Sequence, residues 1–322
     1  MRLLTFVREG RSRLGLALDG RIFDFVAAYD TLPAREKAGP AVLASDLLAL
    51  LQAGDLGLAA ARQVEGLARA ARAAGRYLRD SSGQPIDYAE SQVRIAAPIA
   101  RPGKIICLGL NYADHAAETG QPRPTIPILF AKFANAIIGP GDPIVLPEAA
   151  SDVDYECEFA FVVGKVAKRV PLESALEYVA GYMMLNDVSA RDLQRETSQW
   201  LRGKSPDTFA PTGPYLVTRD EVPDPAVLDV RLWLNEELMQ SSNTKHLIFD
   251  VPFLVHHLSK TITLEPGDVV STGTPSGVGF ARKPPVLLKS GDRVRLEIGN
   301  LGVLENPVVT EAEARAAWGA GR

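Results

Sequence analysis

Asp154, Glu156 and Glu158 stand at alternate positions in Asp-Tyr-Glu-Cys-Glu (154–158), and the apolar run Phe-Ala-Phe-Val-Val follows directly. In a strand, successive side chains point to opposite faces, so the three acids share one face. Like charges side by side repel, and burying them unpaired costs on the order of several kcal/mol each. A divalent cation would offset that cost. Glu156 and Glu158 would lie about 6.6 Å apart along an extended chain, close enough for their side chains to converge on one ion. Asp187 follows the apolar run Met183-Met184-Leu185 and opens Asp-Val-Ser-Ala-Arg-Asp (187–192). Three carboxylates without His or Cys suit a hard cation, Mg²⁺ or Mn²⁺, with water completing an octahedron. The competing reading leaves Glu156 and Glu158 on a solvated sheet face and Asp187 at a helix cap. Asp154 is expected in the turn before the strand.

The segment 109–120 reads as a short helix closed by Gly120, with His115 and Glu118 three apart on one face. A carboxylate beside imidazole orients the ring and raises its basicity, as a general base for water requires. Surface His/Glu pairs share this spacing. His246, His256 and His257 read as structural. Gly-Lys-Ser (203–205) matches the tail of a phosphate loop, but Ser198 occupies the position where that loop needs its first glycine, so a nucleotide site is rejected. Lys204 remains as a cation in a loop. The stretch 265–279 is a strand running into a Gly-rich loop that carries Thr274, where backbone N–H groups could approach an anion.

The elements that must position these groups are of two textures. Residues 1–30 alternate apolar and polar around a turn at Asp19-Gly20, and 43–79 have helical spacing rich in Ala, Leu and Arg. The run 59–74 reads as an amphipathic surface helix, with no aromatic or phosphate-loop feature to suggest nucleic acid. From 104 to 309, short β-rich segments alternate irregularly with Pro/Gly turns and a few helices, notably 172–178 and 250–258. That order disfavours a doubly wound sheet and fits an α+β domain of packed or rolled mixed sheets. The expected division is a small N-terminal α+β domain (1–80), a linker (81–103), a catalytic unit (104–309) and a C-terminal tail (310–322). A net charge of −4 carries no basic excess, so no nucleic-acid partner is expected. Two cysteines, Cys107 and Cys157, cannot make a disulfide scaffold and read as buried thiols of a cytoplasmic protein. The start lacks an apolar leader core, and no run approaches the roughly 20 apolar residues of a membrane span.

Taken together, Gly-Leu-Asn-Tyr-Ala-Asp-His-Ala-Ala-Glu (109–118), Asp-Tyr-Glu-Cys-Glu (154–158), Asn-Asp-Val-Ser-Ala-Arg-Asp (186–192), Arg-Gly-Lys-Ser-Pro-Asp-Thr-Phe-Ala-Pro-Thr-Gly-Pro (202–214) and Gly-Asp-Val-Val-Ser-Thr-Gly-Thr-Pro-Ser-Gly-Val-Gly (267–279) resemble the fumarylacetoacetate hydrolase family, in family order. The resemblance is strongest to the branch of domain-containing protein 2 and to diketo-acid hydrolases. It implies a mixed β-sheet roll, sandwich-like, holding Mg²⁺ or Mn²⁺ through Glu156, Glu158 and Asp187. It implies His115 and Glu118 as a water-activating dyad on a mobile lid, Lys204 as the active-site lysine, and Arg191, Gln194 and Thr274 as substrate contacts. Some members add a fourth carboxylate ligand where this chain has Leu108 and Gly109, so a three-carboxylate site is expected. The implied activity is hydrolysis of a C–C bond in an acylpyruvate or 2,4-dioxo acid through a metal-stabilised pyruvate enolate. Oxaloacetate decarboxylation and keto–enol tautomerisation are alternatives on the same site, and a non-catalytic binding module is a further one. A homodimer is expected from the resemblance.

Overall fold

The computed structural model describes residues 1–39 and 46–318. The chain opens with a meander of β1 (Arg2–Arg8), β2 (Arg11–Leu18) and β3 (Arg21–Asp24). Asp19 and Gly20, between β2 and β3, have φ of 49° and 70°. Two left-handed residues make the type I′ turn, whose twist matches that of the paired strands, so the Asp-Gly turn stands where expected. Helices α1 (Phe25–Thr31), α2 (Leu47–Gln52) and α3 (Gly54–Ala73) follow. Asp24 and Asp46 cap the first two by accepting from the N–H groups of Ala27 and Ala49. On α3, Ala60, Ala61, Val64 and Ala68 are buried on one face, while Glu65 and Arg69 pair on another. The start of the expected helical region, 43–45, lies outside the described residues, as does the end of the expected tail, 319–322.

The stretch expected as a linker carries β4 (Asp87–Ala89) and β5 (Arg94–Ala96), which hydrogen-bond to β3 and β1. Then come β6 (Ile105–Gly109), α4 (Ala113–Glu118), β7 (Ile128–Ala131), β8 (Ile137–Ile138), β9 (Ile144–Leu146), β10 (Val153–Asp154), β11 (Cys157–Val163) and β12 (Val179–Asn186). Residues 172–178 form a 3₁₀ helix. Next are β13 (Ser189–Ala190), α5 (Arg191–Arg195), α6 (Leu201–Lys204), β14 (Ala210–Thr218), β15 (Asp229–Leu234) and β16 (Glu237–Asn243). The chain closes with α7 (Val251–Ser259), β17 (Val269–Ser271), β18 (Arg293–Ile298), β19 (Val303–Thr310) and α8 (Glu311–Trp318).

Twelve strands form one mixed sheet, ordered β4-β3-β2-β1-β14-β12-β11-β17-β6-β7, with β5 beside β1 and β8 beside β14. Five more form a second sheet, β16-β15-β18-β19-β9, and β10 pairs with β13 alone. The large sheet is continuous because β1 pairs antiparallel with β14, Leu3 opposite Leu216. Strand β11 is buried along its whole length. Its period of two divides the core: Phe159, Phe161 and Val163 pack with Leu232, Leu296 and Leu304 of the second sheet. Ala160 and Val162 turn the other way, into a cluster with Leu50, Val64 and Leu216. The result is the expected α+β arrangement of packed mixed sheets, with the first helices on one outer face. Among the described residues no helix is long and apolar enough to cross a membrane.

Candidate metal centre and active-site cavity

Strand register assembles the acids. β11 and β12 run antiparallel with Cys157 opposite Asn186, so the residues just beyond each end, Glu156 and Asp187, meet. The Asp187 N–H donates to the Glu156 carbonyl at 2.9 Å. On the other side of β11, β17 sets Ser271 opposite Ala160, which brings Ser271 diagonally against Glu158. The Glu158 carboxylate accepts from the Ser271 hydroxyl and, at 3.2 Å, from the Gly273 N–H. Carboxylate oxygens of Glu156, Glu158 and Asp187 all lie within 4.8 Å of one another, and all three residues are buried. The solvated-face reading is thereby excluded.

Fixed donors orient this triad. Arg191 donates from Nη2 to Oε1 of Glu156 at 2.6 Å and from Nε to Oδ1 of Asp154 at 2.6 Å. Lys204 Nζ bridges Oε2 of Glu156 at 2.8 Å and Oδ2 of Asp187 at 2.7 Å. Lys132 Nζ donates to Oδ1 of Asp187 at 2.6 Å and to the Val188 carbonyl at 3.1 Å. Burial works against ionisation of Glu156, but the cations of Arg191 and Lys204 outweigh it and hold its carboxyl below the ordinary range. Glu158 goes the other way: burial, then the charges of Asp187 and Glu156, push its carboxyl well above that range. It has no salt-bridge partner among the described residues. Four buried carboxylates, with Asp154, thus face three buried cations. Glu158 has no cation beside it among the described residues, and a converging set of oxygen donors without His or Cys fits a hard divalent cation.

Glu156 and Glu158 floor a cavity of about 390 Å³ that His115, Arg191, Gln194, Lys204 and Thr274 also line. His115 and Glu118 lie on α4, with Nδ1 of His115 3.3 Å from Oε2 of Glu118. Glu118 also accepts from the Gly277 N–H at 2.9 Å, and Asp114 accepts from the Ser276 hydroxyl at 3.1 Å. The helix is therefore fastened across the cavity to the Gly-rich loop. Arg191 Nη1 donates to Oε1 of Gln194 at 3.1 Å. The Thr274 hydroxyl donates to the Cys157 carbonyl at 3.1 Å and accepts from Gln240 at 2.8 Å, so its proton is already committed. Gly109 faces the indole of Trp200, and a Cβ there would stand 2.8 Å from a ring carbon.

Two expectations need correction. Asp154 is not in a turn: it sits fully buried in β10, paired with β13, because Arg191 and the Phe280 N–H neutralise and solvate it. Lys204 ends the short helix α6 and is buried, since two carboxylates compensate its charge. Sequence reasoning missed Lys132 and the wall of Phe130, Trp200 and Phe280. Lys132 has phenylalanines one position after it and two before, a weak sign of burial.

Residues 104–309 match the family described as fumarylacetoacetate (FAA) hydrolase C-terminal. The protein named oxaloacetate tautomerase fahd2, mitochondrial, from Xenopus laevis is 52% identical over 221 residues, 68% of this chain and 69% of that protein. A fumarylacetoacetate hydrolase structure from Exiguobacterium antarcticum is 35% identical with TM-score 0.77, covering 97% of this chain and 100% of its own. A maleylpyruvate hydrolase structure from Sphingobium sp. SYK-6, in complex with manganese(II) and pyruvate, is 32% identical with TM-score 0.71, covering 96% and 99%.

Proposed function

The chain belongs to the fumarylacetoacetate hydrolase family, and from that premise we propose that it catalyses keto–enol tautomerisation of a small 2-oxo acid of the oxaloacetate kind at a divalent-metal centre. The observation that carries this reading is the convergence of three buried carboxylates within 4.8 Å, two of which, Glu156 and Glu158, floor a cavity shared with His115, Arg191 and Lys204. The order of expectation is thereby reversed. Hydrolysis came first from the sequence, and the name of a relative 52% identical favours tautomerisation instead.

Glu156, Glu158 and Asp187 would hold the cation, Mg²⁺ first and Mn²⁺ second for an all-oxygen donor set. When bound, it supplies a Lewis-acidic pole beside the 2-oxo oxygen, where negative charge grows as the enol forms. The chain does the rest. Lys204 places its ammonium beside the same developing charge. Arg191 and Gln194 offer N–H groups to the substrate carboxylate, although Arg191 already spends two donors on Asp154 and Glu156. His115 takes the proton from the carbon next to the carbonyl and delivers it to the former carbonyl oxygen, which gives the enol, and the reverse steps give the ketone. Glu118 fixes the ring through Nδ1, and its own position is set by the Gly277 N–H.

A second reading, hydrolysis of acylpyruvates, is favoured by the same His115–Glu118 pair and by the likeness to a maleylpyruvate hydrolase. It would use His115 on water instead of carbon. Decarboxylation of oxaloacetate would need neither. A non-catalytic binding module is disfavoured, since His115, Glu156, Glu158 and Lys204 all line one cavity. Assembly as a homodimer belongs to the proposal, supported by exposed Leu129 on β7, the last strand of the large sheet, and by exposed Ile126 and Phe133 on either side of it. A monomeric mass in light scattering at micromolar concentration would reject it. Cytoplasmic placement is also proposed, supported by two free, buried thiols. The reaction is tested by following enol absorbance of oxaloacetate with and without Mg²⁺. Metal-dependent acceleration supports the reading, and none at any metal concentration sinks it.

A further inference from the structure

Beyond the polar floor, the cavity has a second, apolar half lined by Ile128, Phe130 and Trp200. The indole of Trp200 meets the ring of Phe130 edge-on, centroids 5.3 Å apart at 62°. It lies against Gly109, where the absence of a side chain leaves room for it. On its other side Phe130 faces Lys204, whose Nζ is 4.9 Å from the ring centroid. Phe130 therefore marks the border between the charged and apolar halves. Arg191 and Lys204 are the cavity's only lysine or arginine side chains among the described residues, and both are held by Glu156 and by Asp154 or Asp187. A second carboxylate carried into the apolar half would meet no cation there. The volume, about 390 Å³, is in the range of pockets for ligands larger than a four-carbon diacid.

We infer that Trp200, with Phe130, determines substrate specificity, forming a subsite for an uncharged hydrocarbon substituent on the far side of a 2-oxo acid from the carboxylate triad. This rests on the 2-oxo acid reading above and deepens it. Oxaloacetate engages the polar half alone. A 2-oxo acid with an alkyl or aryl tail engages both halves, and each buried methylene adds about a 4-fold gain in affinity. Trp200 touches no reacting atom on this account, so its loss changes which substrates bind and leaves the reaction of short ones running.

The test is calorimetric titration of the Mn²⁺-loaded protein with 2-oxobutanoate, 2-oxopentanoate, 2-oxohexanoate and 2-oxooctanoate. Wild type should tighten by about 4-fold per added methylene until the apolar half is filled. Trp200→Ala should bind 2-oxobutanoate within about 2-fold of wild type but lose most of the chain-length dependence. Trp200→Phe, which keeps an aromatic wall, should retain most of it. An unchanged slope in Trp200→Ala overturns the inference, as does a flat series in wild type. Oxaloacetate turnover in the same preparations separates the two claims. A chain-length slope without oxaloacetate turnover upholds the subsite and removes the tautomerase. Turnover without a slope does the reverse.

Discussion

Nζ of Lys132 donates to Oδ1 of Asp187 at 2.6 Å, and both side chains are wholly shielded from solvent. Breaking one side of a buried pair leaves a charge without compensation, typically costing about 3–5 kcal/mol. Lys132→Met should therefore destabilise the protein by about 3 kcal/mol, seen as a lower midpoint in urea unfolding. An unchanged midpoint would mean that Lys204 alone suffices for Asp187.

Metal should act as a stabilising ligand of the native state. At Mn²⁺ concentrations near 100 times Kd, mass action predicts about 2.7 kcal/mol of added stability. Asp187→Asn should lose that gain while keeping native circular dichroism. If the metal raises the unfolding midpoint equally in both proteins, it binds elsewhere.

His115→Ala removes the proposed proton carrier without touching the carboxylate floor. Tautomerisation should fall by about 10²–10⁴-fold, while Mn²⁺ affinity measured by calorimetry stays close to wild type. Decarboxylation of oxaloacetate, which needs no base, should fall far less. Equal losses in both reactions would show that the imidazole does not move the proton.

Asp192 links α5 to the loop before β10. Burial pushes its carboxyl up, but donation from Ser151 and Leu193 outweighs this and holds it below the ordinary range. A depressed folded pKa contributes stability above about pH 3.9, lost as pH falls through the lower folded value. Wild type should thus lose stability relative to Asp192→Asn as pH is lowered from about 6 to 3 in urea unfolding series. Parallel curves would show that the contacts carry no free energy.

What was legible in the sequence was what short-range periodicity encodes. Alternation placed Glu156 and Glu158 on one face, and Asp19-Gly20 announced its hairpin. The span from His115 to Glu118 is one helical turn, and the structure puts their side chains 3.3 Å apart. What escaped depends on partners far along the chain. Lys132 resembles any strand-end lysine until Asp187, 55 positions later, makes its burial possible. Asp154 resembles a turn residue until Arg191 arrives from 37 positions away. Continuity of the large sheet rests on Leu3 facing Leu216, a pairing without local signal. Trp200 sits beside a glycine-lysine pattern that drew attention to phosphate loops, whereas its neighbour in space is Gly109.

The central claim is that Glu156, Glu158 and Asp187 together hold the cation on which enol chemistry depends. Its most direct test is the rate of oxaloacetate enol-to-keto conversion against Mg²⁺ concentration, in chelator-stripped wild type and in Glu158→Gln. The account predicts negligible catalysis without metal, single-site saturation in wild type, and no metal-dependent catalysis in the folded variant. Full activity in stripped wild type, or wild-type metal response in Glu158→Gln, would contradict it.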